Sequence, residues 1–167
     1  MNARSTLACM VMIVGVACSR GGASSDVDRA SHDFGGDECA ACGMIVREQP
    51  SPRAQAVHRD GERAFLCSIG EALNYVAAPS PHGAIVATYV EVLAPDANPA
   101  ANSAERRPWM PAERAVFVVG IARPRVMGRP ALAYGSREDA SQAATRLGGR
   151  VATWSQLKSD DARETEN

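Results

Sequence analysis

The sequence lacks the features that mark several large classes of protein. Its formal net charge is only -1 at pH 7, with 18 Lys and Arg residues against 19 Asp and Glu residues. A chain without excess positive charge has no basic field to attract a phosphate backbone, so we expect no nucleic-acid partner. It also has no Gly-rich phosphate loop and no Ser-His-Asp arrangement. We therefore expect no catalytic turnover.

A long apolar run is missing as well. The small and apolar run at residues 7–17 is too short to span a bilayer and has the length of a signal-peptide core. Cys18 follows it directly, and a cysteine after small residues is typical of a bacterial lipobox. We predict that residues 1–17 are a lipoprotein signal peptide and that Cys18 is the lipid attachment site. The alternative is ordinary secretion, with cleavage after Ala17.

The rest of the chain shows a linker and an internal repeat. Residues 18–38 are rich in Gly, Ser and Asp, which predicts a lipid-anchored flexible linker. The stretches "AFLCSIGEALNYVA" (64–77) and "LAYGSREDASQAAT" (132–145) align with each other. In both, a serine followed three residues later by an acid opens an apolar-periodic run. This pattern predicts a capped helix after a strand.

The repeat also predicts the fold class. Strand patterns precede and follow each helix, so we expect an α+β fold of two similar small lobes, each ordered strand-strand-helix-strand (ββαβ). The first lobe is placed at residues 39–94 and the second at 109–157. Residues 158–167 are charged and are predicted to be a disordered tail. Each lobe alone has a small core, so the two are expected to share packing.

The cysteines outside the signal peptide and lipobox are Cys39, Cys42 and Cys67. In a secreted chain, a structural Cys39–Cys42 disulfide is one interpretation. A thioredoxin-like dithiol needs its pair at a helix start, and a zinc knuckle needs a second Cys-x-x-Cys; neither context is present. Two alternative functions stay open: a thiol–disulfide or mercury-handling thiol protein that uses Cys39 and Cys42, and a structural or docking lipoprotein in which Cys39–Cys42 is an inert disulfide.

Soft donors near the cysteine pair favour copper. Met44 follows Cys42 with only Gly43 between them, and a glycine lets the backbone fold so that thiolate and thioether face one ion. Cysteine and methionine together select Cu(I) over zinc. Met127 adds a second thioether from an exposed loop of the second predicted lobe. Cys42, Met44 and Met127 are therefore the candidate copper donors, and the candidates for a further ligand are Cys39, Cys67, His58 and His82.

Taken together, these features resemble the NosL family of nitrous-oxide-reductase accessory lipoproteins. The resemblance rests on the lipobox, the linker, "CAACGMIV", "FLCS", "WMPAERAVFVVG" and "VMGRPALAYGSREDA". It implies a non-catalytic Cu(I) metallochaperone with two ββαβ lobes. By position, Cys42 and Met44 match the family's Cys-Gly-Met donors and Met127 matches its methionine before the second aromatic strand. Cys39 matches the other cysteine of the motif, so the resemblance implies Cys39, Cys42, Met44 and Met127 as the metal ligands.

The resemblance also implies a place and partners. The family hands Cu(I) on for assembly of the copper centres of nitrous oxide reductase in the periplasm. The implied delivery partner is a membrane ABC-transporter complex with a periplasmic docking subunit, and nitrous oxide reductase is an indirect partner. We therefore expect a bacterial cell-envelope protein that is held on the membrane by its lipid and faces the periplasm.

Overall fold

The computed structural model describes residues 30–31, 33, 36–50, 52–99, 107–124 and 126–165. The predicted signal peptide and Cys18 lie outside these residues. No described helix combines the length and the apolar character that crossing a membrane requires.

The first half of the described chain is built around a four-stranded antiparallel sheet. Strands β1 (Ala54–His58) and β2 (Arg63–Leu66) form a hairpin, and helix α1 (Ile69–Ala77) follows. Strand β3 (Ile85–Glu91) then returns beside β1, and the short strand β4 (Trp109–Pro111) pairs with β3. The sheet order is therefore β2-β1-β3-β4.

The second half repeats this order of elements. Strands β5 (Val116–Val119) and β6 (Ala131–Tyr134) are followed by helix α2 (Arg137–Leu147) and strand β7 (Arg150–Thr153). They form a three-stranded antiparallel sheet with the order β6-β5-β7. The α+β class is confirmed, and strand-strand-helix-strand occurs in each half. The boundaries of two lobes stay a prediction, and β4 ties the start of the second predicted lobe to the first sheet.

Both central helices begin at the serines that the repeat singled out. The Ser68 side chain accepts a hydrogen bond from the Glu71 N–H at 3.0 Å, and the Ser136 side chain accepts one from the Asp139 N–H at 3.0 Å. Each bond satisfies a backbone donor that the first helical turn leaves unpaired. The two halves therefore start their helices by the same local chemistry.

A single hydrophobic core joins the two sheets. Its buried residues come from β1, β2, β3 and α1 in the first half and from β5, β6, β7 and the segment after β7 in the second. The largest include Leu66, Ile69, Leu73, Phe117, Trp154 and Leu157. A smaller cluster lies between β5, β6 and α2. Burial of each large apolar side chain contributes roughly 1.5–3 kcal/mol. This arrangement fits the expectation that two small halves share packing.

The prediction of a disordered tail from residue 158 is wrong for its described part. Helix α3 (Trp154–Thr165) continues through it. Its first turn is anchored because Trp154 and Leu157 are buried in the shared core. Further along, Asp160 accepts from Arg150 at 2.8 Å and from Arg163 at 2.5 Å. Two of the charges that indicated disorder therefore pair with each other on the helix, and Asp160 also pairs with Arg150 of β7.

A buried ion pair holds β1, β3 and the segment after the cysteine motif together. The Arg53 Nε and Nη2 atoms donate to the two carboxylate oxygens of Glu91 at 2.7 Å each, and both side chains are almost fully buried. The Arg53 Nη1 atom donates to the Arg47 carbonyl at 3.4 Å, in the 3-10 turn Val46–Glu48. A bidentate pair of this kind fixes geometry as well as charge. It therefore anchors the chain directly after the motif.

Candidate metal centre

The cysteine motif forms a tight turn that folds back on itself. The Cys39 N–H donates to the Met44 carbonyl at 2.7 Å, and the Gly43 N–H donates to the Cys39 carbonyl at 2.8 Å. Gly43 has a φ of 77°, in the left-handed region that glycine adopts without strain. The sequence reasoning expected this use of the glycine. The turn brings both cysteines of the motif to one side of the loop.

The turn is fixed against the edge of the first sheet. The Ala40 N–H donates to the Phe65 carbonyl of β2 at 2.9 Å. Cys67 comes directly after β2 and directly before the capping residue of α1. The cysteine motif therefore lies along the outer edge of β2, and Cys67 lies at the end of the same strand. This placement brings a third cysteine to the motif.

Three thiols converge at this point. The sulfur atoms of Cys39, Cys42 and Cys67 all lie within 4.8 Å of one another, and the Cys42–Cys67 pair is 3.5 Å apart. Cys39 and Cys67 are each only 2% exposed, whereas Cys42 is half-buried. The Cys67 N–H also donates to the Cys39 sulfur at 3.4 Å. Within the described ranges, the group has the composition and spacing to hold one soft metal ion.

Hydrogen bonds among the three thiols give them different pKa values. The hydrogen bond from Cys67 lowers the pKa of Cys39 to about 5, because a donated proton stabilises a thiolate. The same hydrogen bond, together with burial, raises the pKa of Cys67. Burial is the main cause that raises the pKa of Cys42. At neutral pH the group therefore holds one thiolate, and the other two thiols keep their protons until an ion displaces them.

Met44 closes the cysteine turn through its backbone. Its carbonyl accepts the Cys39 N–H, and its half-buried side chain packs against the shared core beside Cys42. The structure thus places Met44 next to the thiols along the chain. Its role as a thioether ligand stays a prediction.

Met127 comes to the same region from the second half of the chain. Its carbonyl accepts a hydrogen bond from the Ser68 hydroxyl at 2.6 Å, and Ser68 directly follows Cys67. Its side chain is 45% exposed, and among the described residues Val86 is the other large hydrophobic side chain with high exposure. The structure therefore brings the Met127 backbone to the residue that follows Cys67. Its thioether as a ligand also stays a prediction.

Close backbone packing supports this approach of the two halves. A Cβ atom added at Gly70, in the first turn of α1, would lie 2.3 Å from the Arg129 nitrogen and 2.7 Å from the Gly128 carbonyl carbon. Gly128 also has a φ of 68°. Only glycines permit two backbones to come this near. The loop that carries Met127 therefore sits directly on the start of α1.

The two histidine candidates lie outside the group of thiols. His58 is fully buried, and its ring nitrogens contact the Gly83 carbonyl at 3.0 Å and the Tyr75 hydroxyl at 2.9 Å. His82 is exposed and faces Asp60 at 3.0 Å. Both rings have other partners. Cys67 is the candidate that the structure does bring together with Cys39 and Cys42.

Comparisons with known proteins agree with the motif and the fold. A family model described as NosL matches residues 34–162. The copper-binding lipoprotein NosL of Stutzerimonas stutzeri is 30% identical over 132 residues, which are 77% of this chain and 64% of that protein. The protein of the same name from Achromobacter cycloclastes is 32% identical over 117 residues, which are 66% of this chain and 58% of that protein. The chain thus spans less than two thirds of the length of these curated relatives.

A solved structure shares the fold. The crystal structure of the copper chaperone NosL from Shewanella denitrificans superposes with a TM-score of 0.61 at 23% identity, and the match covers 75% of this chain and 93% of that one. The family model covers most of the chain, including the cysteine turn, both sheets and the Met127 loop. This chain belongs to the NosL family.

Proposed function

We propose that this protein is a Cu(I) chaperone that delivers copper for assembly of the copper centres of nitrous oxide reductase. The observation that carries this proposal is the convergence of three sulfur atoms, from Cys39, Cys42 and Cys67, within 4.8 Å. Thiolates select soft ions, and a thioether beside them favours Cu(I) over zinc. The names of the relatives, a copper-binding lipoprotein and a copper chaperone, support the same ion.

Copper is the cargo, and the arrangement of donors supports its transfer. Cys39 and Cys67 are buried, whereas Cys42 is half-buried and Met127 is exposed. An incoming donor from a partner can therefore replace the outer ligands first, while the buried thiolates still hold the ion. Transfer by stepwise ligand exchange needs no catalytic residue, and the protein acts without turnover.

The proposal includes a place and partners in the cell. Lipid at Cys18 would hold the protein on the membrane, with residues 18–38 as a tether that lets the folded part reach a partner. The relatives' names as lipoproteins support an envelope location. We place the protein on the periplasmic side, where it hands copper to an ABC-transporter complex through a periplasmic docking subunit. That complex would supply nitrous oxide reductase.

An anaerobic Cu(I) competition titration against a chromophoric chelator tests the proposal. The fully reduced protein is compared with Cys42→Ser, Cys67→Ser and Met127→Leu. We expect one Cu(I) ion per wild-type chain. Each cysteine variant should bind at least about 100-fold more weakly, because even an outer-shell partner of a metal site contributes about 10–100-fold. Met127→Leu should cost about tenfold, because a neutral thioether is a weaker donor than a thiolate.

The matched control is Met110→Leu, which removes a thioether from a half-buried methionine that packs on the core from β4. It should leave the affinity unchanged. Loss of affinity in the cysteine variants alone would place the ion entirely on the first half of the chain. Absence of Cu(I) binding by the reduced wild type would remove the proposed function.

A further inference from the structure

We propose that Cys42 and Cys67 form a reversible disulfide, through which a protein of the dithiol–disulfide exchange class controls whether the site can take up copper. The effect on copper rests on the proposed function. Formation of the bond itself does not, because it depends only on the positions of the two thiols.

Distance and placement favour this pair. The two sulfur atoms are 3.5 Å apart, and a disulfide bond requires them to approach to about 2.05 Å. Cys42 lies in an exposed turn between Ala41 and Gly43, both of which are exposed themselves. Cys67 is held between β2 and the first turn of α1. The Cys42 side chain can therefore supply the small movement, while the sheet and the helix keep Cys67 in place.

Exposure assigns a different role to each thiol. Cys42 is the half-buried member of the group and can meet a partner's sulfur atom. Cys67 is only 2% exposed and is reached from within the protein, by the Cys42 sulfur. Cys39 is equally buried, and its sulfur accepts the Cys67 N–H at 3.4 Å. Cys39 is therefore the thiol that stays reduced.

The chemistry is an ordinary thiol–disulfide exchange. The Cys42 thiol loses its proton and the resulting thiolate attacks one sulfur atom of the partner's disulfide; the partner's other sulfur leaves as a thiolate and takes up a proton. The Cys67 thiol loses its proton in the same way and attacks the Cys42 sulfur of this mixed disulfide, which releases the partner's second thiolate to take up the other proton. Overall, Cys42 and Cys67 lose two protons and two electrons, and the partner's disulfide becomes a dithiol. A reduced dithiol partner reverses the same steps.

The bond would remove two of the three thiolate donors. A disulfide sulfur carries no negative charge and is a poor ligand, so the oxidised protein should not load copper. A bound ion would in turn hold both sulfur atoms and protect them from exchange. Copper uptake would then depend on a reductant.

The test uses the full chain with Cys9→Ser and Cys18→Ser, so that only the three clustered thiols remain. The copper-free protein is equilibrated in glutathione buffers of graded redox potential. Free thiols are alkylated, and the disulfide is located by peptide mass spectrometry. We expect an intramolecular Cys42–Cys67 bond, with Cys39 alkylated only after denaturation. In the same background, Cys39→Ser should keep the bond and Cys67→Ser should abolish it.

Each outcome has a distinct meaning. A Cys39–Cys42 bond, or three reduced thiols at every redox potential, would overturn the assignment of the disulfide.

The second part of the test adds Cu(I) to the oxidised and to the reduced protein. Oxidised protein that still binds Cu(I) as tightly as the reduced form would overturn the control of loading. If the Cys42–Cys67 bond forms but reduced protein binds no copper, the redox pair stands and the proposed copper function fails.

Discussion

At the scale of single residues, the three cysteines differ in charge and access although they share one site. Cys39 is buried and has the lowered pKa, of about 5, because Cys67 donates a hydrogen bond to its sulfur. Cys42 is half-buried, and its pKa is raised chiefly by burial. One thiol is therefore ready as a thiolate, and the others must release a proton before they can bind an ion. This division would make the proposed copper binding depend on pH.

We predict that Cu(I) affinity falls as the pH is lowered. Cys42 has a raised pKa and is protonated at neutral pH, so each unit of decrease from about pH 8 to about pH 6 should weaken binding at least about tenfold. The Cys39 thiolate adds to the loss only as the pH falls through its pKa of about 5. The Cu(I) competition titration at several pH values measures this. An affinity that stays flat over this range would contradict thiolate ligation.

The sequence singled out two of the three thiols that lie together and left the third as a candidate. Cys39 and Cys42 are neighbours along the chain, so their proximity follows from spacing. Cys67 is 25 residues beyond Cys42 and joins the group because the Ala40 N–H bonds to the Phe65 carbonyl of β2. No local sequence pattern predicts that this loop docks on the edge of a strand. The one sequence feature that pointed to Cys67 is its position directly before the serine that opens α1.

At the scale of secondary-structure elements, one of the two helix-capping serines makes a second hydrogen bond that the other does not make. Ser68 and Ser136 both cap a helix, but the Ser68 hydroxyl also donates to the Met127 carbonyl at 2.6 Å. Ser68 is 1% exposed, and the contact joins α1 to the loop before β6. The two serines thus form a natural pair for comparison, because they share one function and differ in the other.

We predict that Ser68→Ala weakens Cu(I) binding and that Ser136→Ala does not. Each substitution removes a helix cap and should lower the free energy of unfolding by about 0.5–2 kcal/mol. Only Ser68→Ala releases the Met127 loop, so we expect it to lower Cu(I) affinity several-fold. Chemical denaturation measures the first effect and the competition titration the second.

A double substitution separates positioning from general destabilisation. If Ser68 acts through Met127, Ser68→Ala should cost no further affinity in a Met127→Leu background. Equal losses of affinity in Ser68→Ala and Ser136→Ala would show that both effects come from helix stability alone.

Elements with a strong local pattern were the ones that sequence reasoning found. The serine followed by an acid located the start of α1 and of α2, and the strand patterns indicated the sheets. Helix α3 was missed from residue 158 onward because its charged composition is typical of a frayed tail. The helix is held by the burial of Trp154 and Leu157 and by the ion pair of Asp160 with Arg150. These are tertiary contacts, which local composition does not show.

At the scale of the whole molecule, the two halves meet both in the core and at the site. One buried cluster contains side chains from both sheets. The Met127 loop of the second half lies on α1 of the first, close to Cys67. An ion held by the thiols and by Met127 would therefore tie the halves together at the surface as the core does inside. The central claim is that sulfur atoms of this group hold Cu(I).

Copper K-edge X-ray absorption of the anaerobically loaded protein tests this claim most directly. It reports both the oxidation state of the ion and the type of atom that binds it. We predict an edge typical of Cu(I) and a first shell made of sulfur, which loses sulfur scattering in Cys67→Ser. A Cu(II) edge, or a first shell dominated by nitrogen and oxygen, would contradict the assignment of the three cysteines as the copper site.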